Sequence, residues 1–236
     1  MKWSWMTVLL GALSICLVLI LLCDRRRPAS IPLVGEVFNS ETPHILFMGT
    51  SLTEGQAWPD VLIQKLEGCG VSASSQRLSG NGKTSSWGVT TLKAAQAADL
   101  RAPDLILIEF AVNDADFRRF LSPEQSAENT KRLISMLREM NPEVQVVLLG
   151  MYPGFGVRGA LRLRYGAYLT ELEKIAARDE RIGYLDMTQN WQLALHEAPR
   201  AKMPDGLHPT PEVASQVNAD AILNYFALSQ SLRCEG

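Results

Sequence analysis

Histidine is scarce in this chain, with three in 236 residues, and only four cysteines accompany them. No grouping of the two has zinc-site spacing, so a histidine-rich or cysteine-rich metal centre is not expected, and no organic cofactor is called for. An excess of positive charge is also missing. Formal net charge is −2. Residues 1–27 hold Lys2, Arg25, Arg26 and Arg27 against Asp24, which leaves 19 basic and 24 acidic side chains, a net of −5, on the remainder. A domain of that sign has no general attraction for nucleic acid. Internal repeats, low-complexity tracts and a dinucleotide fingerprint are absent as well. The glycine-rich stretch Ser79-Gly80-Asn81-Gly82-Lys83-Thr84 lacks the four-residue gap of a phosphate loop. A hydrophobic content of 47% with 20% charge excludes a disordered chain. The roughly 200 residues after the N-terminal segment suit one domain with a real core.

Charge is absent altogether from residues 6–23, an apolar run of 18 residues. Lys2, Trp3 and Trp5 precede it, and Asp24-Arg25-Arg26-Arg27 comes after it. About 20 apolar residues span a bilayer, and tryptophans suit its interface. Residues 1–27 are therefore read as a retained transmembrane anchor that makes the protein a single-pass membrane protein. A cleaved signal peptide is the alternative, against which stand the long apolar region and the lack of a small-x-small cleavage site. The three arginines lean toward a cytoplasmic placement of the domain C-terminal to them. Residues 28–43, with Pro28, Pro32 and Pro43, read as a linker. The folded domain is then 44–236.

Within that domain, short apolar runs alternate with longer helical patterns. The sequence predicts strands over 44–49, 71–79, 104–110, 144–150 and 182–186. It predicts helices over 57–67, 86–100, 123–140, 161–178 and 211–228. Such alternation means βαβ units, hence a three-layer α/β/α domain around a five-stranded parallel sheet, flavodoxin-like with order 2-1-3-4-5. Right-handed crossovers put helices on both faces. Functional groups then gather beyond the carboxyl ends of the strands.

Four polar motifs fall at those ends or in a late loop. Ser51 comes after the first strand in Gly49-Thr50-Ser51-Leu52, where an exposed serine can be a nucleophile, although serines are common in such turns as helix caps. Gly82 lies past the second strand, with backbone N–H groups available. Asn113 lies past the third in Phe110-Ala111-Val112-Asn113-Asp114, where a carboxamide can donate to an oxyanion or merely form an Asx turn. His208 stands in Asp205-Gly206-Leu207-His208-Pro209, where an imidazole can serve as base with Asp205 fixing its tautomer. His44 and His196 have no such setting.

Taken in order, these residues resemble the SGNH, or GDSL-type, hydrolase family from about residue 45 to the C-terminus. The resemblance implies a serine esterase. It implies a triad of Ser51, Asp205 and His208, and an oxyanion hole made by the N–H groups of Ser51 and Gly82 with the Asn113 amide. Gly80 is the alternative to Gly82. Thr50 departs from the family's usual aspartate, and Ala111 from a frequent glycine; neither change removes a catalytic group.

The activity expected is hydrolysis of an oxygen ester through an acyl-enzyme, carbohydrate O-deacetylation included, on a small-molecule or glycan ester. Alternatives are glycan O-acyl transfer on the same triad, a lysophospholipase or thioesterase, and a non-catalytic membrane-tethered binding module. Arg158, Arg162 and Arg164 beside the site would meet an anionic or phospholipid substrate, or else form a solvated helix face. Cys69 and Cys234 are the cysteines outside the apolar run. With strand order 2-1-3-4-5 the first and last helices are neighbours, so the two thiols are expected to bridge. A bridge requires an oxidising compartment, which argues for an extracytoplasmic domain against the lean of the arginines.

Overall fold

The computed structural model describes residues 29–229, apart from 36, 39, 97 and 99, together with Leu232 and Cys234. Five strands form: β1 (His44–Gly49), β2 (Ser74–Ser79), β3 (Leu105–Glu109), β4 (Gln145–Gly150) and β5 (Ile182–Asp186). β1 and β3 are buried throughout, as a parallel sheet covered on both faces demands. β2, Ser-Ser-Gln-Arg-Leu-Ser, tolerates its polar sequence because it lies at the sheet edge. The order is β2-β1-β3-β4-β5 and every pair is parallel. The chain steps outward from β1 to β2, then crosses back to β3 on the other side. That reversal opens a crevice beyond the carboxyl ends of β1 and β3.

The helices are α1 (Trp58–Gly68), α2 (Ser85–Gln96), α3 (Ala111–Asp114), α4 (Pro123–Met140), α5 (Gly156–Ala160), α6 (Tyr165–Ala176), α7 (Thr188–Ala194), α8 (Pro199–Lys202) and α9 (Pro211–Leu228). A 3-10 turn, Phe117–Arg119, comes after α3. α1 packs on α9, and α2 and α6 pack on α4, which gives the two outer layers. Local chemistry marks the ends. Ser122 Oγ accepts from Gln125 N while Gln125 Oε1 accepts from Ser122 N, a reciprocal cap on α4. Proline opens α4 and α9, where its missing N–H costs nothing.

Two stretches differ from the sequence expectation. The pattern over 161–178 predicts one helix, but α6 starts only at Tyr165 because Arg162 turns inward. Its guanidinium donates from Nε to Val112 O at 2.6 Å and from Nη1 to Arg158 O at 2.7 Å. The proline-bearing segment before β1 packs on the domain. Ile31 forms an antiparallel bridge with Tyr184 of β5, and Leu33 and Val37 are buried. This segment covers the outer edge of the sheet, which would otherwise present unpaired backbone groups.

The transmembrane reading is corrected. Among the described residues no helix is long and apolar enough to cross a membrane. The longest, α4 and α9 at 18 residues each, spend their apolar faces on the core. The expected anchor, 1–27, lies outside the described residues. Membrane attachment and single-pass topology have no support among the described residues.

The first and last helices are neighbours, with Lys65 Nζ 3.0 Å from Asp220 Oδ1 across them. Just past their ends Cys69 and Cys234 form a disulfide, Cα–Cα 4.3 Å, that closes a loop of 165 residues. Cross-links over such long loops stabilise mainly by restricting the unfolded chain, typically by about 2–5 kcal/mol. Cys69→Ser or Cys234→Ser is expected to lower the thermal midpoint by about 5–15 °C, with the same shift when the wild type is reduced. Equal midpoints in thermal unfolding with and without reductant would show that the bridge contributes nothing.

Candidate active site

The site begins with the turn that leaves β1. Gly49 must be glycine: a Cβ there would lie 2.5 Å from Thr53 Oγ1 and 2.7 Å from Glu109 Oε2. The space it leaves is filled by the Glu109 carboxyl, buried at the end of β3. Thr50 donates to that carboxyl from its N–H (2.9 Å) and its hydroxyl (2.9 and 3.0 Å), and Thr53 Oγ1 donates at 3.1 Å. Leu52 N donates to Thr50 Oγ1, and Trp58 Nε1 donates to Leu52 O at 2.7 Å. The turn carrying Ser51 is thus fixed on both sides. Burial pushes the Glu109 carboxyl up to about 7, outweighing the hydrogen bonds from Thr50 and Thr53 that favour its charge.

Ser51 Oγ lies 2.8 Å from His208 Nε2, and His208 Nδ1 lies 2.7 Å from Asp205 Oδ2. Burial would raise the Asp205 carboxyl. Hydrogen bonds from His208 N, His208 Nδ1 and Leu207 N prevail and hold it at about 2. A carboxylate facing Nδ1 places the ring proton there and turns the Nε2 lone pair toward the serine hydroxyl. The loop carrying this pair is braced from β4. Phe155 N donates to Gly206 O at 2.8 Å, and a Cβ on Gly154 would meet that same oxygen at 2.5 Å.

Gly82 and Asn113 line the same cleft as Ser51 and His208, a cavity of about 340 Å³. Backbone hydrogen bonding distinguishes the two glycines. Gly80 N donates to Gly49 O at 3.1 Å and so prolongs the β1–β2 ladder. Among the described residues the N–H groups of Gly82 and Ser51 have no acceptor. Asn113 Nδ2 donates one hydrogen to Lys83 O at 2.8 Å, which ties the two loops together and leaves a second hydrogen on that nitrogen. Below it Asp114 accepts from Ser85 N (2.9 Å) and Ser126 Oγ (2.6 Å), fixing α3 to α2 and α4. Burial raises the Asp114 carboxyl against those bonds.

The arginines part company. Arg158 lines the cleft, while Arg162, only 3% exposed, also braces α3 through Val112. Arg164 is exposed before α6 and lines no part of the cleft. Arg118 and Arg119, which sequence patterning does not single out, line it too. Nor does patterning single out Glu109; its signal is one acid in the apolar run Leu105–Phe110, otherwise Leu-Ile-Leu-Ile-Phe. His44 sits at the opposite end of β1, 3.1 Å from Ser74 Oγ, and His196 is exposed. Among the described residues no group of three or more His, Cys, Asp or Glu is arranged to hold a metal.

Glu109 makes folding pH-dependent. Between its ordinary 4.5 and about 7, the folded protein keeps a proton that the unfolded chain releases. Stability from this group is therefore full below about 4.5 and falls by up to about 3 kcal/mol as pH rises through 7. The thermal midpoint of the wild type relative to Glu109→Gln is expected to fall between pH 5 and 8. Parallel curves for the two proteins would show that the carboxyl is unperturbed.

Comparison with known proteins comes down on one family. The model of the GDSL-like lipase/acylhydrolase family matches residues 47–214. Comparison with curated protein sequences yields no match. Among solved structures, a lipase/acylhydrolase from Enterococcus faecalis is similar at 18% identity and a TM-score of 0.66, over 82% of this chain and 99% of that one. A putative GDSL-like lipase from Parabacteroides merdae is similar at 18% identity and a TM-score of 0.68, over 82% of this chain and 100% of that one. Axe2, an acetylxylan esterase from Geobacillus stearothermophilus, is similar at 19% identity and a TM-score of 0.61, over 78% of this chain and 93% of that one. These likenesses are of fold; the family match spans most of the sequence, and the chain belongs to the GDSL-like lipase/acylhydrolase family, as a serine-type ester hydrolase.

Proposed function

We propose that this ester hydrolase removes short acyl groups, acetyl foremost, from carbohydrate hydroxyls, with Ser51, His208 and Asp205 as its triad. The observation that carries the reading is the unbroken hydrogen-bond chain from Ser51 through His208 to Asp205, opening onto a polar cleft. His208 Nε2 takes the Ser51 proton as Oγ attacks the acyl carbonyl carbon. The electron pair of the carbonyl moves to its oxygen, which the N–H groups of Ser51 and Gly82 and the second Asn113 hydrogen stabilise. Collapse of the tetrahedral intermediate breaks the ester bond, and His208 gives its proton to the departing sugar hydroxyl. Water then repeats the sequence on the acyl-enzyme, losing its proton to His208 and releasing the carboxylic acid.

The walls set the size of the acyl group. Among the described residues Leu207 is the one aliphatic side chain lining the cleft. The neighbouring apolar hollow, between Leu52, Met151, Trp191 and Leu207, has a volume of about 10 Å³. That is about the room needed for a single water, and far short of an alkyl chain. A polar cleft suits a hydroxyl-rich alcohol, and the fold likeness to an acetylxylan esterase supports the same choice.

Ser51→Ala and His208→Ala are expected to abolish hydrolysis while leaving the thermal midpoint near wild type, since both side chains lie at the cleft. Asn113→Ala should lower kcat by about 10²–10³ with little change in KM. Across acetyl, butyryl and octanoyl esters of one sugar, kcat/KM should fall with chain length. Near-normal turnover in either of the first two variants would remove the triad, and a preference for octanoyl would remove the short-acyl reading.

A further inference from the structure

The domain beyond residue 27 is acidic, yet four guanidinium groups, Arg118, Arg119, Arg158 and Arg162, converge on this one cleft. Two are committed. Asp116 binds Arg118 at 2.5 Å and 2.8 Å, and the same carboxylate stands 3.8 Å from Arg162 Nη2. Those bonds with Arg118 outweigh the burial of Asp116 and lower its carboxyl. Two keep donors free. Arg119 has no side-chain hydrogen bond or ion pair among the described residues, and its Nη2 lies 3.2 Å from where a Cβ on Gly82 would stand. Arg158 makes one long ion pair among the described residues, from Nη2 to Asp205 Oδ2 at 3.5 Å, with an oxygen that already accepts from His208, so its other donors are open.

The other acids of the cleft do not answer this charge. Glu54 accepts from Ser79 Oγ and makes no ion pair with an arginine among the described residues, and Asp116 serves two arginines at once. A free guanidinium beside Gly82 and a loosely paired one beside Asp205 therefore both line the cleft that holds Ser51 and His208. A neutral sugar gives neither a partner of matching charge. An oxyanion does so with paired hydrogen bonds, the geometry for which arginine is suited.

We propose that the alcohol portion of the substrate is anionic: an acylated sugar bearing a carboxylate or a phosphate, held by Arg119 and Arg158. This rests on the deacylase reading and narrows it from carbohydrate esters to acidic ones. Arg162 and Arg118 take a supporting part, buried or tied by Asp116 and so fixing the wall from which Arg119 and Arg158 project.

The test compares an acetylated uronic-acid oligosaccharide, an acetylated hexose phosphate and an acetylated neutral oligosaccharide, with the acetyl group alike in all three. Wild type is expected to favour one or both acidic esters in kcat/KM by roughly 10- to 100-fold. Which acidic ester leads identifies the anion as carboxylate or phosphate. The preference should collapse toward unity in Arg119→Gln and in Arg158→Gln, and survive in Arg132→Gln, which removes an exposed charge on α4 outside the cleft. Calorimetric titration of the Ser51→Ala protein with the same three esters reads binding without turnover. Selective binding of an acidic ester with no hydrolysis by wild type would sustain the anion site and sink the deacylase reading. Equal binding of acidic and neutral esters, or a preference that outlives both arginine substitutions, would overturn the anion site even if acetyl groups are released.

Discussion

A carboxyl group buried where two central strands end is the constraint around which the site is arranged. Glu109 lies at the carboxyl end of β3, beneath the exit of β1, and burying it without partners would cost several kcal/mol. Its partners all come from the chain about to present Ser51: the Thr50 N–H, the Thr50 hydroxyl and the Thr53 hydroxyl. The same need explains Gly49, whose missing side chain lets the carboxyl approach. It also gives Thr50 a reason to be threonine. A threonine donates to Glu109, whereas an aspartate there would have to share a proton with it. The serine is held by satisfying an acid that never touches the substrate.

Parallel topology does the rest of the assembly. Because all five strands run the same way, the loops after β1, β2 and β3 and the late loop beyond β5 emerge at one end of the sheet. Residues 51, 82, 113 and 208 meet there although Ser51 and His208 are 157 positions apart. Proximity alone would leave four mobile loops. Each is instead locked by a bond to a neighbour: Thr50 to Glu109, Asn113 to Lys83, Ser85 to Asp114, Arg162 to Val112, and Phe155 to Gly206. Preorganised donors of this kind stabilise developing charge without rearranging during reaction.

Much of this was legible in the sequence because the informative residues are punctuation. Ser51, Gly82, Asn113 and His208 stand where apolar runs stop, and the run lengths fixed the parallel sheet. The bridge between Cys69 and Cys234 could be inferred from strand order once these were the two cysteines outside the apolar run. What stayed hidden depends on tertiary contact. Glu109 read as part of a buried strand, since a single acid among Leu and Ile has no periodic signature. The three arginines near residue 160 looked alike, but one is a buried brace, one lines the cleft and one faces solvent. The prolines of the segment before β1 signalled a linker, while its Ile31, Leu33 and Val37 were about to cover a sheet edge. Hydropathy read residues 6–23 as a membrane span, and the described part of the protein has no such helix.

The position of Arg158 links recognition to proton transfer. Asp205 Oδ2 accepts from His208 Nδ1 at 2.7 Å and faces Arg158 Nη2 at 3.5 Å. Two cations therefore compete for one oxygen when the imidazole is charged, as it is after taking the serine proton. Asp205 Oδ2 is then shared between the imidazolium and the guanidinium. An anionic substrate that engages Arg158 offsets its charge and leaves Asp205 to His208. On the proposed reading, the group that recognises the substrate would then also bear on the carboxylate that orients the base, coupling correct binding to proton abstraction. A neutral ester in the same cleft leaves that competition in place.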